Sequence, residues 1–143
     1  MNFYDAHNHL QDDRFAGRQS ELLAACEKSG VMRMVVNGAC EDDWPNVLAL
    51  ARKNKVVLPS FGYHPWYLSE RTPDWLSALK ECLDTMPAAV GEIGLDRWKP
   101  GLPYEPQEEI FLAQRAQSRS PGQGHDPRRG HDRDLVHSMR VQE

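Results

Sequence analysis

Four apolar runs, each followed by an amphipathic stretch, constrain the fold of this chain more than any other feature. The runs are short and rich in β-branched residues, as in "VMRMVVNG" at 31–38 and "KVVLPSFG" at 55–62, and such runs are typical of buried strands. The stretches between them place apolar residues at helical spacing, as Leu22, Leu23 and Cys26 do. The sequence predicts strands over 2–6, 31–38, 55–62 and 88–96, and helices over about 18–29, 43–54, 73–86 and 105–114.

This order of elements predicts an α/β fold with a parallel sheet. Neighbouring parallel strands need a crossover connection, and the helix of each β/α unit, about 30 residues long, supplies one. Apolar strands that alternate with amphipathic helices are typical of a parallel sheet covered by helices. We therefore expect one domain of four β/α units over residues 1–114.

The composition changes after Gln114. Residues 115–143 contain six arginines and no lysine, and their apolar residues are only Ala116, Leu135, Val136, Met139 and Val141. A segment with so few apolar side chains cannot bury enough surface to offset the entropy lost on folding. We therefore predict a disordered tail over 115–143.

Charge and cysteine content exclude several classes of protein. The formal net charge of −4 lacks the basic face that general attraction to nucleic acid requires, so a nucleic acid would have to bind at a local site. Cys26, Cys40 and Cys82 are odd in number and form no C-x-x-C pair, which argues against a disulfide framework and favours packed or half-packed thiols. No apolar run has the length of a membrane span or resembles a signal peptide, so we expect a cytoplasmic protein without a membrane partner.

The stretch "DAHNHL", residues 5–10, raises the possibility of a metal site. Side chains alternate along a strand, so Asp5, His7 and His9 point to the same side. Two imidazoles at this spacing can share one metal ion, and in parallel α/β folds the carboxyl ends of the strands are where sites form. The alternative is an exposed polar strand with ordinary histidines.

A carboxylate in the fourth apolar run strengthens the metal interpretation. Glu92 lies in "GEIGLD", residues 91–96, and a buried carboxylate is costly unless it is paired, hydrogen-bonded or bound to a metal. A salt bridge with Arg33 or Arg97 is the alternative for Glu92. Asp96 shares its face of the strand, and a helix cap or a loop hydrogen bond explains Asp96 equally well.

A third histidine follows the third strand. His64 lies in "GYHPW", residues 62–66, where Tyr63 and Trp66 could line a pocket beside it. The sequence predicts that His64 lies on the same rim and supports the ligands or faces the substrate. A structural histidine that forms a loop hydrogen bond is the alternative.

Imidazole and carboxylate groups on one rim indicate hydrolytic chemistry. Mixed nitrogen and oxygen ligands suit zinc, manganese or a similar divalent ion. Such an ion lowers the pKa of bound water and makes hydroxide available near pH 7. The sequence has no P-loop, nucleophile elbow or G-x-G-x-x-G motif that would indicate another reaction.

The motifs "DAHNHL", "GYHPW", "AAVGEIGLD" and "QEEIFLAQ", in this order and spacing, resemble those of the TatD family of metal-dependent hydrolases. The resemblance covers about residues 1–114. It implies a TIM-like (β/α)8 barrel with two divalent ions, such as zinc, magnesium or manganese, and deoxyribonuclease or related phosphodiesterase activity on DNA or another phosphodiester. Amidohydrolases and PHP-type phosphoesterases share the first motif and are the runner-up, but the "GEIGLD" strand argues against both.

The resemblance also implies roles for four residues. His7 and His9 match ligands of one metal, and Glu92 matches the carboxylate that contacts and bridges both metals. His64 matches a motif residue lining the site. Glu92 and His64 are accordingly the expected catalytic residues.

The chain departs from the family pattern after "QEEIFLAQ". Arg115 interrupts the leucine- and alanine-rich helix of the family, and the later strands that supply further metal ligands are missing. His125, His131 and His137 follow no apolar strand, so they receive no ligand role. A frameshift or a truncated gene model would explain the abrupt change. Reading the coding DNA in the other two frames from about codon 114 tests this hypothesis, which fails if neither frame restores a leucine-rich helix and a strand ending in histidine.

Four strands are half of the eight that such a barrel contains. A half barrel leaves two strand edges and one sheet face uncovered, which predicts marginal stability or self-association. We expect weak metal binding and little or no turnover from this chain alone. A non-catalytic, metal-binding remnant is the alternative to an active hydrolase.

Overall fold

Four parallel strands alternate with four helices in the computed structural model, which describes residues 1–118. The strands hydrogen-bond in the order β1-β2-β3-β4, and every neighbouring pair is parallel. The elements are β1 (Phe3–Asn8), α1 (Gln19–Lys28), β2 (Val31–Gly38), α2 (Trp44–Lys53), β3 (Val57–Phe61), α3 (Trp75–Thr85), β4 (Ala89–Val90) and α4 (Tyr104–Gln117). The predicted architecture of four β/α units is therefore confirmed.

Two short 3₁₀ helices extend the connections at one end of the sheet. Asp13–Phe15 follows β1, and Pro65–Glu70 follows β3. At the opposite end, Gly30 ends the α1 connection with a φ of +90°, a conformation that glycine adopts at little cost. The carbonyl of Gly30 then accepts a hydrogen bond of 2.8 Å from the backbone N–H of Phe3, which pins β1 beside the start of β2.

The hydrophobic core lies on one face of the sheet. Met34 and Val36 of β2 and Phe61 of β3 are buried there with Val47 of α2 and Leu79 of α3. Burial of apolar surface on this side supplies the main favourable term for folding, at roughly 25 cal/mol per Å².

The other face of the sheet is exposed to solvent near the amino ends of β1, β2 and β3. Tyr4 pairs with Arg33 and Val35 pairs with Leu58 in the parallel register, and all but Val35 are exposed. Strand residues alternate between the two faces, so this open face is the reverse of the core.

The fourth strand is shorter than the sequence predicts. It was expected over 88–96, and only Ala89–Val90 form it. The chain leaves the strand at Gly91, whose carbonyl accepts a hydrogen bond of 2.9 Å from Ser60 Oγ. Glu92 therefore follows the carboxyl end of β4 and does not lie within the strand.

Helix α4 continues beyond the predicted change of character at residue 114. It ends at Gln117, and the Arg115 guanidinium lies 5.7 Å from the centre of the Phe111 ring. The rest of the predicted tail, 119–143, lies outside the described residues.

Cys26, Cys40 and Cys82 are free, half-buried thiols. Within 1–118, no helix combines the length and the apolar character needed to cross a bilayer.

Candidate metal centre

The carboxyl ends of β1 and β4 bring His7, His9 and Glu92 together. One ligand atom from each residue lies within 4.8 Å of the other two. His7 Nε2 is 2.8 Å and His9 Nε2 is 3.4 Å from Glu92 Oε1, and the two nitrogens are 3.2 Å apart. The Glu92 side chain is only 10% exposed. The three residues that the sequence predicts as metal ligands therefore form one cluster, which we call the rim cluster.

Asp5 stabilises the carboxyl end of β1 through two hydrogen bonds. Its carboxylate accepts hydrogen bonds from the backbone N–H of His7, at 3.0 Å, and from Asn8 Nδ2, at 2.9 Å. The register of β1 against β2 shifts between Asp5 and Asn8. Asp5 was expected on the same side as the two histidines, but it holds the strand end in place and is not part of the rim cluster.

A backbone carbonyl orients His9. The carbonyl oxygen of Asn37 lies 3.0 Å from His9 Nδ1, and since a carbonyl can only accept, Nδ1 must carry the proton. In the neutral ring, Nε2 then presents its lone pair to the rim cluster, which is the usual arrangement of a metal-ligating histidine. Gln11 Nε2 donates to the same carbonyl at 2.7 Å, which fixes the carbonyl's position.

The electrostatics of the rim cluster suit a cation. The Glu92 carboxylate, as the hydrogen-bond acceptor for protonated His9, raises the pKa of His9, although partial burial opposes this effect. Burial raises the pKa of Glu92, but the hydrogen bond and positive charge of His9 outweigh it, so the pKa of Glu92 lies below its ordinary value. The carboxylate is therefore ionised and directed at two imidazoles, and this set of two nitrogens and one oxygen fits a divalent transition metal such as zinc.

The alternative ion pairs considered for Glu92 do not form. Arg33 Nη1 donates to the carbonyl of Lys55 at 2.5 Å, and the Arg97 guanidinium lies 4.0 Å from the centre of the Tyr104 ring. Among residues 1–118, the ion pairs of Glu92 are those with the histidines.

Asp96 has the loop role that was its alternative interpretation. Its carboxylate accepts hydrogen bonds from the backbone N–H of Trp98, at 2.7 Å, and of Lys99, at 3.0 Å. It also accepts one from Trp66 Nε1, and this bond is the largest cause of its lowered pKa. Asp96 therefore ties the loop after β4 to the 3₁₀ helix after β3.

His64 is the N-cap residue of that 3₁₀ helix. Its Nδ1 accepts a hydrogen bond of 3.2 Å from the backbone N–H of Trp66, so Nδ1 is unprotonated and the neutral ring carries its proton on Nε2. Burial lowers the pKa of His64, which favours this neutral form. His64 lines the same cleft as the rim cluster without being one of its three members.

The cleft above the rim cluster has a volume of about 640 Å³, within the usual range for ligand sites. Acidic side chains outnumber basic ones on its walls, where the single arginine is Arg14 and the aspartates are Asp12, Asp13, Asp42 and Asp43. This balance favours a cation in the cleft and disfavours a long polyanion.

The sequence reasoning missed several residues that hold the cleft in shape. Asp43 accepts hydrogen bonds from the backbone N–H groups of Ala39, at 3.0 Å, and Cys40, at 3.3 Å, and from Gln11 Nε2 at 3.1 Å. Asn37, which orients His9, carried the one available signal, because it is a polar residue at the end of a buried apolar strand.

Two buried glutamines of α4 fix two of the loops that form the cleft. Gln107 accepts from the backbone N–H of Asp96 at 2.7 Å and donates to its carbonyl at 3.0 Å. Gln114 accepts from the backbone N–H of Tyr63 and donates to its carbonyl at 3.2 Å. These residues are the two glutamines of the "QEEIFLAQ" motif. The amide group of each supplies hydrogen-bond partners to loop backbone groups that have none in a helix or sheet.

Comparisons with known proteins agree with this geometry. Residues 4–122 match the family model described as TatD related DNase. The uncharacterized metal-dependent hydrolase YjjV of Escherichia coli is 32% identical over 121 residues, which cover 79% of this chain and 47% of YjjV. The uncharacterized metal-dependent hydrolase MJ1582 of Methanocaldococcus jannaschii is 29% identical and covers 78% of this chain, with 44% of its own length matched.

Solved structures show the same fold. The crystal structure of YJJV, a TatD homolog from Escherichia coli, superposes with a TM-score of 0.74 at 28% identity, over 81% of this chain and 46% of that one. A TatD family hydrolase from Entamoeba histolytica gives a TM-score of 0.67 at 20% identity, which shows the fold alone. The chain spans about half the length of the relatives it matches, so its four units correspond to half of a TIM-like barrel, as the sequence predicts.

Proposed function

Because this chain belongs to the TatD family of metal-dependent hydrolases, we propose that its rim cluster serves the hydrolysis of phosphodiester bonds, as in DNA. The observation that carries the proposal is the meeting of His7, His9 and Glu92 within 4.8 Å in the wall of one cleft. A bound divalent ion would supply Lewis-acid chemistry by lowering the pKa of a coordinated water molecule towards 7. Zinc, magnesium and manganese are the candidate ions, and the family resemblance favours a pair of them.

The proposed roles of the individual residues follow from their hydrogen bonds. His7 and His9 would hold the ion through Nε2, and the carbonyl of Asn37 keeps His9 in the required tautomer. Glu92 would contribute the carboxylate ligand and, with a second ion present, bridge the two. The Nε2–H group of His64 would donate a hydrogen bond to a phosphoryl oxygen of the substrate, because its Nδ1 is already used as an acceptor.

The charge of the cleft limits how a nucleic acid would bind. Within residues 1–118, the walls of the cleft carry four aspartates and one arginine, so they provide no basic track along which a strand could lie. We therefore propose that DNA, or another phosphodiester, enters by its end, with the terminal phosphodiester at the rim cluster. The three free thiols favour a reducing compartment, which we propose is the cytoplasm.

The proposal is tested by metal content and hydrolysis together. The chain is loaded with zinc or manganese, bound metal is quantified after dialysis, and cleavage of bis(4-nitrophenyl) phosphate is followed. We expect His7→Ala and Glu92→Ala to weaken metal binding at least about tenfold, the scale of losing support for a ligand. Glu109→Ala, which removes an exposed carboxylate of α4, is the control and should bind as the parent does.

Each outcome of this experiment bears on one part of the proposal. Metal that is lost in both variants, together with hydrolysis that falls with it, supports the hydrolase. Bound metal without any cleavage supports a metal-binding half barrel with no catalytic role of its own. Metal binding that survives both substitutions contradicts the rim cluster as the metal site.

A further inference from the structure

Two large aromatic side chains stand exposed beside the rim cluster. Trp66 and Tyr67 are consecutive residues of the Pro65–Glu70 3₁₀ helix, and they are 41% and 37% exposed. Both line the same cleft as the rim cluster. Exposed large aromatics grouped at a cleft indicate a binding surface more often than a structural need.

Trp66 is held in one orientation by polar neighbours. Its Nε1–H group donates to the Asp96 carboxylate, and the ring of His64 meets it edge to face, with centroids 5.3 Å apart and an interplanar angle of 89°. The Lys99 ammonium lies 4.4 Å from the centre of the indole. Asp96 also accepts from the backbone N–H of Lys99, so one carboxylate fixes both the indole and the loop that carries the cation.

This arrangement presents a rigid aromatic ring, with a cation over it, in the cleft where the proposed function places a phosphate. A rigid ring loses little conformational entropy when another ring stacks on it. Lysine has a flexible stem, so the ammonium of Lys99 can move from the indole to a phosphate oxygen while the indole accepts a base. Stacking requires no basic track, and it therefore suits a cleft whose charged side chains are mostly acidic.

We propose that Trp66 is a stacking site for the nucleobase next to the phosphodiester held at the rim cluster. This inference rests on the proposed function and narrows its substrates to nucleotides, as opposed to phosphodiesters that carry no ring. Trp66 then contributes to substrate specificity by contact with the base, whereas the rim cluster contacts the phosphate.

The experiment compares two ligands that share the ribose and the 5′-phosphate and carry either a base or a hydroxyl group at C1′. Adenosine 5′-monophosphate and ribose 5-phosphate are titrated into the metal-loaded full chain by calorimetry. We expect the nucleotide to bind roughly tenfold more tightly, within the range for one base stacked on an aromatic side chain. Trp66→Leu should reduce the ratio of the two affinities to about one, and Trp66→Phe should retain most of the preference.

The matched control is Trp98→Leu. Trp98 is 85% exposed and is not among the residues that line the cleft, so its replacement should leave the ratio of the two affinities unchanged. Equal affinities in the parent protein, or a preference that persists in Trp66→Leu, would overturn the stacking site.

The same titrations separate this inference from the proposed function. Ribose 5-phosphate that binds the parent and fails to bind His7→Ala supports the rim cluster as the phosphate site, whatever the base contributes. A preference for the nucleotide that disappears in Trp66→Leu, together with an affinity for ribose 5-phosphate that His7→Ala leaves unchanged, supports the stacking site and contradicts the rim cluster as the phosphate site.

Discussion

Two histidines of one cleft have opposite tautomers. His9 Nδ1 donates to the carbonyl of Asn37, whereas His64 Nδ1 accepts from the backbone N–H of Trp66. As a consequence, neutral His9 presents a lone pair on Nε2 and neutral His64 presents an N–H group there. The backbone around each ring thus decides that His9 suits a metal ion and that His64 suits an anionic oxygen.

His64 should titrate below its ordinary pKa of 6.5. Burial lowers the pKa, and the charges of Glu92 and Asp96 oppose this only in part. Because the folded pKa is lower than the unfolded one, protonation favours unfolding. Stability should be full above about pH 6.5 and should decrease as the pH falls through the folded pKa. Imidazole NMR titration combined with urea unfolding measures both effects.

The variant His64→Asn is the control for this titration. Asparagine is a good helix N-cap and does not titrate, so the variant should keep the cap and lose the part of the pH dependence that His64 causes. A pKa of His64 at or above 6.5 would contradict the buried, neutral ring.

At the level of elements, side chains of α4 fix the positions of two loops elsewhere in the chain. Gln107 holds the backbone of Asp96 and Gln114 holds the backbone of Tyr63, which precedes His64. Both glutamines are about 1% exposed. The helix therefore contributes to the candidate site through amide groups that contact the loops and not through any contact with the rim cluster.

Replacing Gln114 by leucine should destabilise the fold and loosen the loop of His64. The substitution leaves the N–H and carbonyl of Tyr63 buried without a partner, at a cost of about 1–3 kcal/mol for each such group. Urea unfolding measures the stability, and hydrogen exchange of the Tyr63 amide measures the loop.

Gln117→Leu is the matched control in the same helix. Gln117 is half-buried and donates to Ala113 of its own helix, so we expect an effect within about 0.5 kcal/mol. Equal losses of stability in the two variants would mean that Gln114 has no special role in holding the loop.

The sequence predicts the positions of the helices better than it predicts the loop backbone groups that their side chains contact. The pattern of α4 indicates a helix, but polar residues at Gln107 and Gln114 look like ordinary surface residues until their loop partners, 11 and 51 positions away, are known. Strand β4 was overestimated because "AAVGEIGLD" continues its apolar character after the chain has left the sheet at Gly91. Glu92 was found because a carboxylate in an apolar run needs a partner, whereas the choice between the histidines and an arginine such as Arg33 or Arg97 required the fold.

At the level of the whole molecule, the four β/α units bury one face of the sheet and leave the other partly open. Strand β1 is an edge of the sheet, and Tyr4 on it is 71% exposed. Across the open face, Arg33 and Leu58 are also exposed. Exposed strand edges and open apolar surface favour association with another chain, so the four units that the sequence predicts suffice for a core but leave one sheet face partly uncovered.

We predict that the chain self-associates through β1 and the open face. Sedimentation velocity over a range of concentrations should show a second, larger species at high concentration. Tyr4→Lys places a charge on the edge strand, which natural edges use to prevent pairing, and should shift the equilibrium towards the monomer.

Leu112→Lys is the control for this prediction. Leu112 is 54% exposed but lies on α4, away from the edge strand, so its replacement should leave the sedimentation unchanged. A parent protein that sediments as a single monomer and unfolds cooperatively at all concentrations would contradict self-association.

The glutamine contacts of α4 also set the order in which the site can mature during synthesis. A ribosome releases the chain from its N-terminus, so His7, His9, His64 and Glu92 all emerge before Gln107 and Gln114 do. The nascent chain can pair its first strands early, but the loops of Tyr63 and Asp96 gain their amide partners only when α4 leaves the exit tunnel. A nascent chain that has emerged from the tunnel only as far as residue 106 would therefore display every member of the rim cluster on loops that α4 has not yet fixed.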